Sequence, residues 1–293
     1  MNKYNKYKIR KKAMRFKYIL LAMSYILLAI SVLITSGCST DETQTVAQFT
    51  ELVMQDEFDV DGAPDPAIWG YDIGTGFNGW GNNELQYYTD RPENVIVQNG
   101  VLIITAKEES FQGSNYTSAR LLTKGKFEQK FGRFEARIRL PYGQGLWPAF
   151  WMLGADIDTN PWPACGEIDI MENAGSMPTV VSGAVHGPGY SGGSPIIKEY
   201  DLEDDRVDTG FHIYGIEWGP GYINYYVDEE LYNQITPEDV TGEWVFDKGP
   251  FYILLNVAVG GLFDGPPNEE TVFPQTMLVD YIRVYKSEFD NNQ

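Results

Sequence analysis

Gly166-Glu167-Ile168-Asp169-Ile170-Met171-Glu172-Asn173 places three carboxylates within six residues, separated only by Ile and Met. Strand side chains alternate between faces, so Glu167 and Asp169 share one face. Glu172 lies five positions after Glu167. That odd offset puts it on the opposite face of a regular strand. One extra residue near Ile170-Met171, a β-bulge, returns Glu172 to the side of the other two acids. Acids that alternate with Ile and Met indicate a rigid, half-buried strand rather than a flexible loop. Three like charges on one face repel, and a fold tolerates them only where there is water, a cation or a chemical use for the repulsion.

The rest of the body reads as β in both directions. Asn94 to Ala106 is two short apolar strands around Gln98-Asn99-Gly100, a hairpin signal. From Gly125 to Leu140, Phe127, Phe131 and then Phe134, Ala136, Ile138 and Leu140 alternate with Glu135, Arg137 and Arg139. Gly215 to Val227 is two strands around Gly219-Pro220-Gly221, and Val279 to Tyr285 alternates again. Phe251 to Val259 is nearly all apolar, as a strand covered on both faces requires. No long window has the helical period. These patterns predict an all-β fold of two antiparallel sheets packed as a sandwich, with an up-and-down barrel as the alternative.

With 7 Trp, 19 Tyr and 15 Phe, the chain is rich in aromatics. Trp80 stands in Asn78-Gly79-Trp80-Gly81-Asn82-Asn83, and Trp147 and Trp151 in Gly145-Leu146-Trp147-Pro148-Ala149-Phe150-Trp151. Flat rings beside Asn and acids suit a carbohydrate groove, where rings stack on sugar faces and polar groups take the hydroxyls. Core packing is the competing reading for each ring alone. With 2 His and 2 Cys the sequence offers no transition-metal cluster. Paired carboxylates, no metal ligands and many aromatics together point to glycoside hydrolysis. A retaining enzyme needs an ionised carboxylate and a protonated one about 5–5.5 Å apart. Glu167 and Glu172 reach furthest, and Asp169 between them would raise a neighbour's proton affinity. A calcium site or a solvated edge strand is the alternative for these acids.

Glu167-Ile168-Asp169-Ile170-Met171-Glu172 resembles the bulged E-x-D-x-x-E signature of glycoside hydrolase family 16. The flanking motifs resemble its laminarinase (endo-1,3-β-glucanase) branch. They are Leu146 to Leu153, Asn82 to Thr89 (NNELQYYT) and Phe211 to Trp218 (FHIYGIEW), and the likeness runs from about Gln55 to Tyr285. The resemblance implies a β-jelly-roll sandwich with a concave substrate cleft. It implies endo-hydrolysis of β-1,3-glucan with retention, by a double displacement that uses two glutamates and no catalytic cofactor. Carried over by motif, Glu167 is the nucleophile, Glu172 the general acid/base and Asp169 the helper beside the nucleophile. Trp147 and Trp151 would line the glycone side of the cleft. Trp80, Asn83 and His186 would contact sugar, and His212 matches a framework position. Family members often hold one structural Ca²⁺ away from the cleft, and the matching positions are Glu57, Gly100 and Asp280. One departure follows Gly260-Gly261: where the family commonly has Trp, this chain runs Leu262-Phe263-Asp264-Gly265. A missing platform would weaken an outer subsite. A same-family hydrolase of mixed-linkage β-glucan or of a galactan is the runner-up. A binding-only glucan receptor is third, because non-catalytic relatives are expected to lose the acids.

The first 37 residues carry eight Lys or Arg and no acid, in the order basic, apolar, small, then Cys38. This reads as a lipoprotein signal peptide over 1–37 with lipidation at Cys38, a polar tether over 38–50 and a catalytic domain over 51–287, with a plain N-terminal membrane anchor as the alternative for the first segment. The expected location is the cell envelope, as a monomer anchored through lipid at the outer membrane or cell surface. Without residues 1–37 the chain has 14 basic against 41 acidic residues, a net −27. That argues against nucleic acid and anionic surfaces as partners and disfavours sulfated galactans.

Overall fold

In the computed structural model the described residues run from Phe49 to Ser287. The signal and Cys38, and all of the tether before Phe49, lie outside them. Seventeen strands follow in order: β1 Phe49–Asp56, β2 Gly70–Tyr71, β3 Gln86–Tyr88, β4 Val95–Gln98, β5 Val101–Phe111, β6 Ser114–Ser118, β7 Arg120–Leu122, β8 Gly132–Arg139, β9 Leu146–Gly154, β10 Glu167–Glu172, β11 Val180–His186, β12 Ile196–Asp201, β13 His212–Gly219, β14 Tyr222–Val227, β15 Glu230–Ile235, β16 Phe251–Val259 and β17 Gln275–Ser287.

They form two sheets. One has the order β15-β14-β13-β8-β17-β5-β6-β3, with β1 beside β17 and β4 beside β5. The other has the order β12-β11-β10-β9-β16-β7-β2. Every ladder is antiparallel except β3 with β6. A period-2 pattern on each strand buries one set of side chains between the sheets. Phe134, Ala136 and Ile138 of β8 pack there against Phe150 and Met152 of β9, Ile168 of β10 and Leu255 and Val257 of β16. The layered sandwich is therefore observed and the barrel is not.

The predicted alternation from Gly125 to Leu140 holds only from Gly132 onward. Phe131 has φ 60° and Gly132 φ 126°, so the chain turns there before the strand begins. Phe127 closes a turn in which its N–H donates to the Thr123 carbonyl at 2.9 Å. At Gly132 a Cβ would stand 2.4 Å from the Tyr285 carbonyl oxygen, which is why glycine occupies the corner.

All nine residues of β16 are buried. Phe251, Ile253, Leu255, Val257 and Val259 face the core between the sheets. Tyr252 and Leu254 face the other way, in a second apolar cluster with Leu153 and Cys165. That outer cluster is a floor on which polar groups can be held out of water. His212, by contrast, sits in the other sheet, buried, with Nδ1 2.7 Å from Asp228. It is a framework contact.

Candidate active site

β10 is the strand that positions the site. Gly166, which precedes it, has φ 83° and packs so close to Phe251 and Val245 that a Cβ would come within 2.9 Å of each. Along β10, Asp169 pairs with Trp151 but Met171 already pairs with Phe150. On the other side Asp169 pairs with Ala184 and Glu172 with Ser182. Three steps on β10 thus oppose two on β11, and the extra residue is a β-bulge. Ile168, Ile170 and Met171 all point into the core. Glu167, Asp169 and Glu172 all line a cleft of about 840 Å³ on the opposite face.

Each terminal glutamate is held by an indole. Trp162 Nε1 donates to Glu167 Oε2 at 2.7 Å, and Trp147 Nε1 donates to Glu172 Oε1 at 2.9 Å. His186 of β11 comes in beside them, with Nε2 3.2 Å from Asp169 Oδ2 and 3.8 Å from Glu167 Oε1. The His186–Asp169 approach is an electrostatic contact without hydrogen-bond alignment, since Asp169 Oδ2 has no aligned donor. Among the described residues no Lys or Arg pairs with any of the three acids.

Burial without a cation moves their proton affinities. Burial first, and then the charge of Asp169, pushes Glu167 up to about 8, while His186 and the Trp162 donor pull the other way. Burial and then the charge of Glu167 push Glu172 up to about 7, opposed by the Trp147 donor and His186. Asp169 is driven well above the ordinary carboxylate range by burial and by Glu172. The order Glu167 above Glu172 would protonate the motif's nucleophile before its acid. The charge of Asp169 is itself part of what raises Glu167, so the proton belongs to the group of acids rather than to Glu167 alone. Asp169 is the deeper seat at 2% exposure. A proton held there leaves Glu167 ionised, and the trio releases its protons as a unit.

The aromatic residues are placed unequally. Trp147, Trp151, Trp80 and His186 line the cleft. Asn83 does not; its N–H closes a tight left-handed loop onto the Asn78 carbonyl, and Asn82 and Glu84 face the cleft instead. Trp151 Nε1 donates to Asn256 Oδ1 at 2.7 Å. The Arg120 guanidinium lies 4.7 Å from both the Trp80 and the Trp151 rings and pairs with Asp72 at 3.0 Å. Where the sequence lacks the expected Trp, Phe263 stacks on Trp147 with centroids 5.0 Å apart and planes 24° apart. Phe263 and Leu262 both line the cleft, so an apolar platform is kept in another form. Sequence reasoning missed Trp162, Asn256 and Arg120. Trp162 had a local signal, since it stands five residues before Glu167 in a Pro-flanked loop. The other two are brought in only by β7 and β16.

Glu167, Asp169 and His186 offer ligand atoms within 4.8 Å of one another, the one such grouping found among the described residues. At the positions matched to the family's calcium, the Glu57 and Asp280 carboxylates face arginines. Both Glu57 oxygens accept from Arg283, at 2.7 and 2.9 Å, and Asp280 accepts from Arg137 at 2.6 Å. A guanidinium against each carboxylate does not suit a side-chain calcium site.

Residues 82–283 match the sequence profile of glycosyl hydrolases family 16. The chain is 46% identical over 270 residues to the "Beta-glucanase" of Rhodothermus marinus, covering 88% of this chain and 92% of that protein. Among solved structures, the catalytic domain of an endo-1,3-beta-glucanase (laminarinase) from Thermotoga petrophila superposes with a TM-score of 0.78 at 48% identity. It covers 83% of this chain and 100% of its own. The endo-beta-1,3-glucanase of Pyrococcus furiosus gives a TM-score of 0.77 at 46% identity, covering 80% of this chain and 94% of its own.

Proposed function

The chain belongs to glycosyl hydrolases family 16, and on that premise we propose that it cleaves β-1,3-glucan chains internally, with retention of anomeric configuration. One observation carries the reading: three buried acids share one face of a bulged strand at the floor of an aromatic-lined cleft, with an indole donor on each terminal glutamate. Trp147 and Trp151 offer flat faces for sugar rings, and Asn82, Glu84 and Asn256 offer polar groups for hydroxyls.

We assign Glu167 as the nucleophile. Its ionised oxygen attacks the anomeric carbon as Glu172 delivers its proton to the departing glycosidic oxygen. A glycosyl ester on Glu167 results. Glu172, now ionised, takes a proton from water, which attacks the same carbon and releases Glu167. Asp169, protonated at the deepest point, keeps a third negative charge away from Glu167 while the glycosyl ester forms. His186, beside Asp169 and Glu167, supports their placement. No catalytic cofactor enters these steps.

Reducing-sugar release from laminarin, lichenan, agarose and carrageenan tests this. Laminarin should be cleaved into oligosaccharides. Release from lichenan alone would move the substrate to mixed-linkage glucan, and silence on every β-glucan would remove the hydrolase reading. Azide should rescue Glu172→Ala on an activated glycoside, since a good leaving group needs no acid.

The order of basic, apolar and small residues before Cys38 supports lipid anchoring in the cell envelope, and we take the anchored protein to be a monomer. Cys38→Ser should release the protein from membranes into the soluble fraction, and gel filtration should give one chain. A structural calcium at Glu57, Gly100 and Asp280 would have to use backbone oxygens. If it is bound, a chelator lowers the melting temperature and added calcium restores it.

A further inference from the structure

Three loops interlock at the end of the cleft sheet beside Glu172. They are residues 141–145 after β8, 173–179 after β10 and 260–274 after β16. The Asp264 carboxylate, on the third, accepts the Gly145 N–H at 2.7 Å, the Ser176 N–H at 3.1 Å and the Ser176 hydroxyl. Backbone bonds tighten the knot. Gly260 N–H donates to the Gly145 carbonyl at 2.7 Å, Gly143 N–H to Gly175 at 3.0 Å and Gly175 N–H to Leu146 at 2.8 Å. The loops approach too closely for side chains. A Cβ on Gly145 would stand 2.3 Å from the Pro267 nitrogen, and one on Gly175 would stand 2.3 Å from the Gly143 oxygen. Phe263, next to Asp264, stacks on Trp147, whose indole reaches Glu172. One carboxylate thereby ties the start of β9, which carries Trp147, to the chain that leaves β10 just after Glu172. Asp264 itself lies outside the cleft lining.

We propose that Asp264 is a positioning residue for the general acid: by clamping these loops it holds Trp147 against Glu172 and so fixes the acid's carboxyl without touching the sugar. The inference rests on the assignment of Glu172 as acid/base. Glu172 shares the cleft face with Glu167 and Asp169 of its own strand and His186 of β11, and its charge is felt by the buried Tyr225 of β14 on the core side. Asp264 variants change none of these, so the effect runs through the indole donor, which holds the proton affinity of Glu172 down.

The test compares laminarin, whose leaving group needs a proton, with 2,4-dinitrophenyl β-laminaribioside, whose leaving group does not. Asp264→Asn and Asp264→Ala should lower kcat/KM on laminarin about tenfold and change it on the aryl glycoside by less than about threefold. The alkaline limb of the pH profile should move to higher pH, as it should in Trp147→Phe. Asp264→Asn combined with Trp147→Phe should add little to Trp147→Phe alone. Equal losses on both substrates, an unmoved alkaline limb or full additivity would each overturn the proposal. Melting curves confirm folding, and Ser176→Ala gives a milder cut of the same clamp if the Asp264 variants do not fold. Glu172→Ala on the same two substrates tests the acid role by itself, so the two readings fail separately.

Discussion

The outward faces of the two sheets carry the same residue types and treat them in opposite ways. On the larger sheet Arg133 contacts Glu135, Glu217 and Glu229, Arg137 meets Asp280, and Arg283 meets Glu57. On the cleft sheet the partners of Glu167, Asp169 and Glu172 among the described residues are His186 and two indoles. Both faces also hold a bulge, since β17 slips between Val279 and Tyr281 as β10 does after Asp169. A guanidinium beside a carboxylate stabilises its charge, whereas burial beside other acids expels it. The sheet that pairs its acids is a scaffold. The sheet that leaves them unpaired is a reagent, and the difference lies in the company the acids keep.

The sharpest way to break this contrast is Glu167→Gln. Turnover of laminarin should fall by about 10⁴-fold or more, because the attacking oxygen is lost. The same variant should be more stable than the native chain at pH 8 and not at pH 4. A carboxyl whose folded pKa is raised to about 8 binds a proton more tightly folded than unfolded. Its destabilising effect is absent below the unfolded value, grows as pH rises from there and is complete above the folded one. Melting temperatures at the two pH values would show a gain on the order of 2 kcal/mol. A Glu167→Gln protein that kept its turnover, or gained no stability at pH 8, would end the comparison.

Inserting one alanine after Ile170 comes next. The bulge absorbs only one extra residue, so the added one reverses the parity and turns Glu172 into the core. Activity should drop about 10³-fold, and unfolding should cost several kcal/mol less because a carboxyl is buried among hydrocarbons. A variant with native turnover and native melting would show that the bulge does not orient the acid.

Trp162→Phe is subtler. It removes the donor that lowers the proton affinity of Glu167, so the acidic limb of the pH profile should move up. kcat/KM at pH 6 should fall about tenfold. An unchanged acidic limb would mean that the indole only shapes the cleft. The smallest effect belongs to the other face. Glu217→Gln cuts one contact of the Arg133 network and should leave kcat/KM unchanged, with at most about 1 kcal/mol lost in urea unfolding. A large loss of activity there would couple the two faces and blunt the contrast.

Much of this was legible along the chain. The hairpins around Gln98-Asn99-Gly100 and Gly219-Pro220-Gly221 appear where turn chemistry puts them, as β4–β5 and β13–β14. The continuous apolar run of Phe251 to Val259 is one fully buried strand. The odd offset of Glu172 predicted a bulge near Ile170-Met171, and the ladders have one there. Phe127 was misplaced because parity alone does not register the left-handed turn at Phe131. Asn83 was drawn toward the cleft by its neighbourhood, but the loop consumes it in closing.

The sequence by itself determined the strands, their inward faces and the clustering of three acids, because period-2 patterning and a one-residue slip act over a few residues. Only the tertiary structure decided what those acids are worth. The Trp147 donor reaches Glu172 across 25 residues, Asn256 reaches Trp151 across 105 and Asp264 reaches Gly145 across 119. Burial and hydrogen-bond partners set a carboxyl's proton affinity, and both are supplied by strands that become neighbours only when the two sheets close.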